Sequence, residues 1–127
     1  MEFPPELKYT RDHEWIDATK DSAHVGISAY ALEQLGDIVH VELPDVGETF
    51  GQGDAFGTIE STKAVSDLYM PVNGTIQEVN KRVVKTPSLV QEDPYNDGWL
   101  VKIKVLEGAD NSQLFTSDAY EDFIQKN

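Results

Sequence analysis

One amine is set apart by its surroundings. Lys63 lies within Glu60-Ser61-Thr62-Lys63-Ala64-Val65-Ser66-Asp67. On its left, Ala55 to Ile59 mixes β-branched, aromatic and small residues and reads as a strand. On its right, Val65 to Met70 reads as a second strand, ended by Pro71 and the turn pair Asn73-Gly74. Ser61 suits the first position of a type I turn, with Thr62 and Lys63 at its centre. The pattern predicts a lysine at a hairpin tip, solvated and easy for another protein to grip. Lysine offers a compact amine on a flexible four-carbon stem. An amide formed there removes the charge, lengthens the arm and can bring cofactor chemistry that no side chain supplies. Read alone, a Ser-Thr-Lys turn is ordinary solvated surface.

The other candidates are weaker. His13 has no nucleophile partner in the sequence and reads as a structural histidine near Trp15. His24 and His40 are too scattered to argue for a metal, and none is expected. The chain has no cysteine, which excludes disulfides and thiolate zinc sites.

The elements that must position Lys63 follow from pattern and punctuation. Met1 to Leu7, with Pro4-Pro5, reads as an extended lead-in. Glu14 to Ala18 and Ala23 to Ile27 read as strands joined through Lys20-Asp21-Ser22. Ser28 is placed to cap a short helix, Ala29 to Leu35, stopped by Gly36. Asp37 to Leu43 sets Ile38, His40 and Glu42 against Val39, Val41 and Leu43, the period of a half-buried strand. Turns at Pro44-Asp45-Val46-Gly47 and Gly51-Gln52-Gly53-Asp54 lead into the strand before Lys63. Thr75 to Val79 is a further strand. In Asn80 to Gln91, Pro87 blocks a continuous helix and predicts short helical turns. Asp97-Gly98 turns into a strand, Trp99 to Leu106; both tryptophans read as core residues on strands. In the tail, Asp110 with Gln113 has the form of a capping pair. Ser117 can cap a last helix that sets Ala119, Tyr120, Phe123 and Ile124 on one face. A weak internal symmetry surrounds Lys63. Gly36-Asp37-Ile38 and Gly74-Thr75-Ile76 each open a strand, and each is followed later by Phe56-Gly57 or Gly98-Trp99.

A chain of 127 residues is one domain by size and long enough to bury a core. With 39% hydrophobic and 26% charged residues it is ordinary for a globular protein. Its 23 acidic against 10 basic residues give a net charge of −13, which repels phosphate backbones and anionic headgroups. Nucleic acid and membrane are therefore not expected partners, whereas basic patches on other proteins are. No apolar run is long enough to span a bilayer, and the first residues form neither a secretory signal nor a transit peptide. The expected compartment is the cytoplasm, with a mature mitochondrial form as the alternative.

The longer pattern around Lys63 is more specific than its turn. Glu60-Ser61-x-Lys63-Ala64-x-Ser66-Asp67, followed by Pro71-x-x-Gly74, resembles the lipoylation site of the glycine cleavage system H-protein family. So do His13-Glu14-Trp15, Val25-Gly26-Ile27, Leu35-Gly36-Asp37-Ile38-Val39, Val41-Glu42-Leu43-Pro44, Phe56-Gly57, Glu78-Val79-Asn80, Glu92-Asp93-Pro94-Tyr95 and Gly98-Trp99-Leu100-Val101-Lys102-Ile103. These blocks come in family order and cover nearly the whole chain. The sequence departs from the family pattern at Asp12, Ala29, Thr62 and the basic stretch Lys81 to Lys85.

The resemblance implies a mainly β fold, a biotinyl/lipoyl-type barrel-sandwich hybrid with a short helix before Asp37 and C-terminal helices. It implies a single lipoyl-carrier domain over residues 1–127. Lipoic acid would be amide-linked to Lys63, with Glu60, Ser61 and Ala64 recognised by a lipoate ligase or a lipoyl/octanoyl transferase. A pyridoxal-phosphate glycine decarboxylase (P protein) would load the arm with an aminomethyl group. A tetrahydrofolate-dependent aminomethyltransferase (T protein) would unload it, and dihydrolipoyl dehydrogenase (L protein) would reoxidise it. The chain itself, an expected monomer, would catalyse none of these steps. In the family the loaded arm folds into a surface cleft where carboxylates hold its cationic amine; the matching positions are Glu14 and Asp67. The alternatives are an H-like paralogue in lipoate relay or regulation, a lipoyl domain of a 2-oxo acid dehydrogenase complex, and an interaction module whose lysine is never modified. A biotin carrier fits less well, because Lys63 lacks flanking methionines.

Overall fold

The computed structural model describes residues 2–17, 21–108 and 110–126. The turn expected at Lys20 and the strand end expected at Ala18 lie outside them. Among the described residues, antiparallel strands form two sheets. The larger contains β1 (Lys8–Tyr9), β2 (Glu14–Ile16), β3 (Ser22–Ile27), β5 (Thr49–Phe50), β8 (Gly74–Val79) and β9 (Val101–Val105), in the spatial order β1-β2-β3-β9-β8-β5. The smaller is β4 (Ile38–Glu42), β6 (Ala55–Ser61) and β7 (Val65–Tyr69), with β6 in the middle. The expected mainly β class holds.

Alternation assigns each strand its two faces. On β2, Ile16 enters the main core with Val25, Ile59, Leu68, Ile76 and Ile103, whereas Trp15 points to a second, aromatic cluster. That cluster holds Leu7, Tyr9, Trp15 and Tyr120, with Tyr95, Trp99 and Phe123 packed against it. Helix α4 (Ser117–Gln125) supplies Tyr120, whose ring stacks on Tyr9 at 4.8 Å between centroids. Trp15 is fully buried there, and Trp99 is half-buried just before β9 begins at Val101.

Local expectations meet the tertiary structure with several corrections. Helix α1 (Ala29–Leu35) is capped by Ser28, whose hydroxyl accepts from the Ala31 amide, and it ends at Gly36 with φ +84°. β4 does not keep a simple alternation. Ile38 and Val41 are both buried, while Val39 and His40 are exposed. The register shifts between Ile38 and His40, so Val39 is an extra residue that re-phases the strand. The proline-broken stretch forms α2 (Lys81–Lys85) and α3 (Leu89–Glu92). The last helix is capped by Thr116 and not by Ser117. Phe115 bridges to Tyr9, and the helix begins at Ser117, one residue earlier than a Ser117 cap would start it. Asp110 and Gln113 do pair, around a 3-10 turn at Asn111–Gln113. The glutamine bonds the Asp110 carboxylate, however, and the Asp110 amide donates to Gln52 instead.

Candidate functional site

The β6–β7 hairpin carries Lys63 at its tip. Glu60 pairs with Val65 across the ladder, and the Ser61 amide donates to the Ala64 carbonyl at 2.8 Å. Ser61 is only 4% exposed, so it is an internal staple and not a surface hydroxyl. Its Oγ accepts from the Lys63 amide at 3.2 Å and the Ala64 amide at 3.0 Å. A serine hydroxyl thus closes the turn. Thr62 then ties the tip to the neighbouring segment, its amide donating to the Asp37 carbonyl at 3.0 Å. Thr62, Lys63 and Ala64 are exposed, and Glu60 is half-buried on β6 opposite His40 of β4. The Lys63 stem lies over Gly36. A Cβ at position 36 would stand 3.1 Å from Lys63 Cε, and the backbone there is left-handed. Glycine thus serves both the helix stop and the lysine's path.

Beside this hairpin a cleft of about 250 Å³ opens between α1 and β7. Leu35, which precedes Gly36, lines it, so the far end of the lysine stem lies next to the cleft. Tyr30, Ala31 and Gln34 of α1 form one wall, and Ile59, Ser66, Asp67 and Leu68 another. The two carboxylates singled out from sequence, Glu14 and Asp67, both line this cleft. They differ in kind. Asp67 is exposed on the rim. Glu14 is 1% exposed, with Thr10 Oγ1 donating to Oε1 at 2.7 Å and the Tyr69 amide donating to Oε2 at 3.2 Å. Burial pushes the Glu14 carboxyl up to about 8, and these two hydrogen bonds only partly oppose it. It is therefore a buried acid, not the exposed strand carboxylate that a surface β2 would give.

Further residues of the cleft escaped sequence reasoning. Asp12 adds a third carboxylate, two positions before Glu14. Tyr30 and Gln34 share one helix face at the i, i+4 spacing, a signal that was present. His13 lines the cleft with φ +69°, and its Nδ1 lies 2.8 Å from the Tyr120 hydroxyl. Its ring packs near Tyr30, Tyr120 and Phe123, and burial lowers its pKa. The Tyr120 hydroxyl also lies 2.7 Å from Ser28 Oγ, and the Tyr95 hydroxyl accepts from the Ala29 amide at 2.8 Å. Two remote tyrosines therefore seat the first turn of α1 and, through it, the cleft wall. His24 pairs with Asp17, and His40 lies near Glu42. Among the described residues no three His, Asp or Glu side chains gather as a metal site, and no helix is long and apolar enough to cross a membrane.

Residues 7–127 match the family model described as glycine cleavage H-protein. A glycine cleavage system H protein from Bacteroides thetaiotaomicron is 50% identical over 121 residues, covering 95% of this chain and 96% of the relative. One from Carboxydothermus hydrogenoformans is 45% identical, covering 97% and 95%. The crystal structure of a glycine cleavage system H protein from Mycobacterium marinum superposes with a TM-score of 0.91 at 43% identity, covering 97% of this chain and 99% of that one.

Proposed function

The chain belongs to the glycine cleavage H-protein family, and from that premise we propose that Lys63 is its lipoyl attachment site and the Glu14–Asp67 cleft the shelter for the loaded arm. As a member it is the lipoyl carrier of the glycine cleavage system. When bound, the lipoyl group would supply a disulfide that glycine decarboxylase reduces in delivering the aminomethyl group of glycine; the aminomethyltransferase would take the one-carbon unit and leave a dithiol for dihydrolipoyl dehydrogenase to reoxidise.

The residues present fit such a group. Lys63 is exposed and makes no ion pair among the described residues, so its amine is open to acylation. Ser61 holds the tip's backbone without engaging the lysine side chain. Glu60 and Ala64 complete the short surface that an attaching enzyme would read. The apolar walls, Ile27, Leu35, Ile59 and Leu68, offer the arm's hydrocarbon a surface to cover. Asp67 attracts a cationic amine at the rim, and Glu14 can accept its hydrogen bond in the dry interior. We read the chain as a carrier and not a catalyst, with residues 1–127 as one carrier domain; the family match from residue 7 to 127 supports that extent. The bacterial origin of these relatives supports a cytoplasmic place of work.

The observation that carries this reading is the stapled hairpin tip set next to a carboxylate-lined cleft. Intact-mass analysis of protein from lipoate-replete cells tests it. One lipoyl increment is expected, absent in Lys63→Arg, with melting temperature unchanged because an exposed tip residue contributes little to stability. An increment that persists in Lys63→Arg refutes the attachment site.

A further inference from the structure

The hairpin tip hangs from a segment with little regular structure of its own. Gly36 is left-handed and Val39 is a bulge. Between them, the Asp37 carbonyl accepts the Thr62 amide, and Lys63 Cε rests over Gly36. One remote side chain spans this segment. Gln91, on α3, donates from Nε2 to the Gly36 carbonyl at 2.7 Å and accepts at Oε1 from the Ile38 amide at 2.9 Å. A primary amide is the side-chain group that presents one donor and one acceptor side by side, as a neighbouring strand would. A single residue therefore pins both peptides that flank Asp37, and the second of them carries the carbonyl that anchors Thr62.

We propose that Gln91 is a positioning residue for acyl transfer onto Lys63. The inference rests on the reading of Lys63 as the lipoyl site. In that transfer the neutral Nζ attacks the carbonyl carbon of a lipoyl adenylate, which a ligase makes from lipoate and ATP. The C–N bond forms, the C–O bond to AMP breaks, AMP leaves with the electron pair, and one amine proton passes to solvent. Gln91 touches none of these atoms. It fixes the Gly36–Ile38 platform, and so the direction in which the lysine stem leaves the surface. Misplacement of a reacting group lowers the rate of the chemical step more than it weakens docking.

The test is steady-state lipoylation of the full apo chain by a purified lipoate ligase with lipoate and ATP. Parent, Gln91→Ala and Gln91→Met are compared; Met fills similar volume without an amide and guards against collapse of the Ala variant. The control is Asn73→Ala, which breaks the bonds of Asn73 to the Gln52 amide and the Glu107 carbonyl, apart from the tip. Both Gln91 variants should lose roughly tenfold in kcat with KM held, on the scale of a small misalignment. The Thr62 amide should also exchange faster with solvent. Simple destabilisation would lower the folded fraction, raise apparent KM and affect the Asn73 control alike. If kcat and Thr62 exchange match the parent, or if the loss lies in KM and is shared by the control, the positioning role falls. If the parent itself takes no lipoyl group at Lys63, the attachment reading fails as well, so the two failures are distinct.

Discussion

The buried carboxyl of Glu14 should leave a mark on stability as a function of pH. Its pKa rises from 4.5 to about 8 in the folded protein, chiefly through burial. Between those values the native state keeps a proton that the unfolded chain releases. Stability contributed by this group is thus full below about pH 4.5, declines as pH rises, and is lost above about pH 8. A tenfold change in proton affinity is worth about 1.4 kcal/mol, so the rise from 4.5 to about 8 sets a ceiling of about 5 kcal/mol. Glu14→Gln removes the titration and keeps the shape. The amide oxygen can accept the Tyr69 N–H, while its NH2 meets a Thr10 hydroxyl that already accepts from the Asp12 and Glu14 amides, a loss that does not vary with pH. Urea unfolding of both proteins from about pH 3.5 to about pH 9, a range that brackets both pKa values, is the assay. All other groups titrate in both, so the difference in unfolding free energy isolates Glu14. The variant should gain on the parent with rising pH, by a few kcal/mol at about pH 8.5 and little near pH 4.5. Parallel profiles would refute the protonated, buried state. A cationic amine in the cleft should reverse the shift, because an ammonium favours the ionised carboxylate, and loading should then release a proton.

Other substitutions probe the cleft and its supports. Glu14→Ala and Asp67→Ala should speed loss of the aminomethyl cargo from isolated loaded protein when the aminomethyltransferase is absent; a tenfold change corresponds to about 1.4 kcal/mol. Equal decay by mass spectrometry in parent and variants would remove the sheltering role and leave Lys63 untouched. Gly26→Ala should lower stability by about 1–3 kcal/mol or more in thermal unfolding, because the new Cβ would stand 2.5 Å from the Trp15 ring; an unchanged melting temperature contradicts that close approach. Tyr120→Phe keeps the ring stacked on Tyr9 but removes the hydroxyl next to Ser28 Oγ and His13 Nδ1. It should cost about 1–2 kcal/mol in chemical denaturation, and full stability would show that the latch on α1 is idle.

What could be read from the chain follows the range of the forces involved. The hairpin around Lys63 was legible because its turn chemistry lies within four residues, from Ser61 to Ala64. The Ser28 cap and the Gly36 stop were legible for the same reason. The bulge at Val39 was not, because it exists only in the pairing of β4 with β6. Nor was the choice of Thr116 over Ser117 as the last cap, since both are good capping residues; the neighbouring Phe115 pairs with Tyr9 across the fold. The family pattern named Glu14 and Asp67, and the structure puts both on one cleft. Their difference in burial needed the third dimension. Even so, one clue was present. Glu14 and Ile16 share parity on β2, and a strand that buries Ile16 carries Glu14 inward with it.

The site separates two demands that pull against each other. On the proposed reading Lys63 must be reachable by several enzymes once modified; its side chain is left free, and the hairpin is held by Ser61 and by backbone bonds that do not involve Lys63 Nζ. On the same reading a cationic cargo is kept from water beside the buried Glu14 carboxyl, and an isolated buried charge is costly. The fold limits that cost by giving Glu14 two donors, Thr10 and the Tyr69 amide, and by allowing it to hold a proton when no cation is near. The walls that create its dry surroundings come from α1 and β7, and α1, too short to be stable alone, is seated by Ser28, Tyr95 and Tyr120. The C-terminal helix, distant in sequence from Lys63, thereby contributes to the cleft: it supplies the Tyr120 hydroxyl that links the start of α1 to His13 at the cleft's edge.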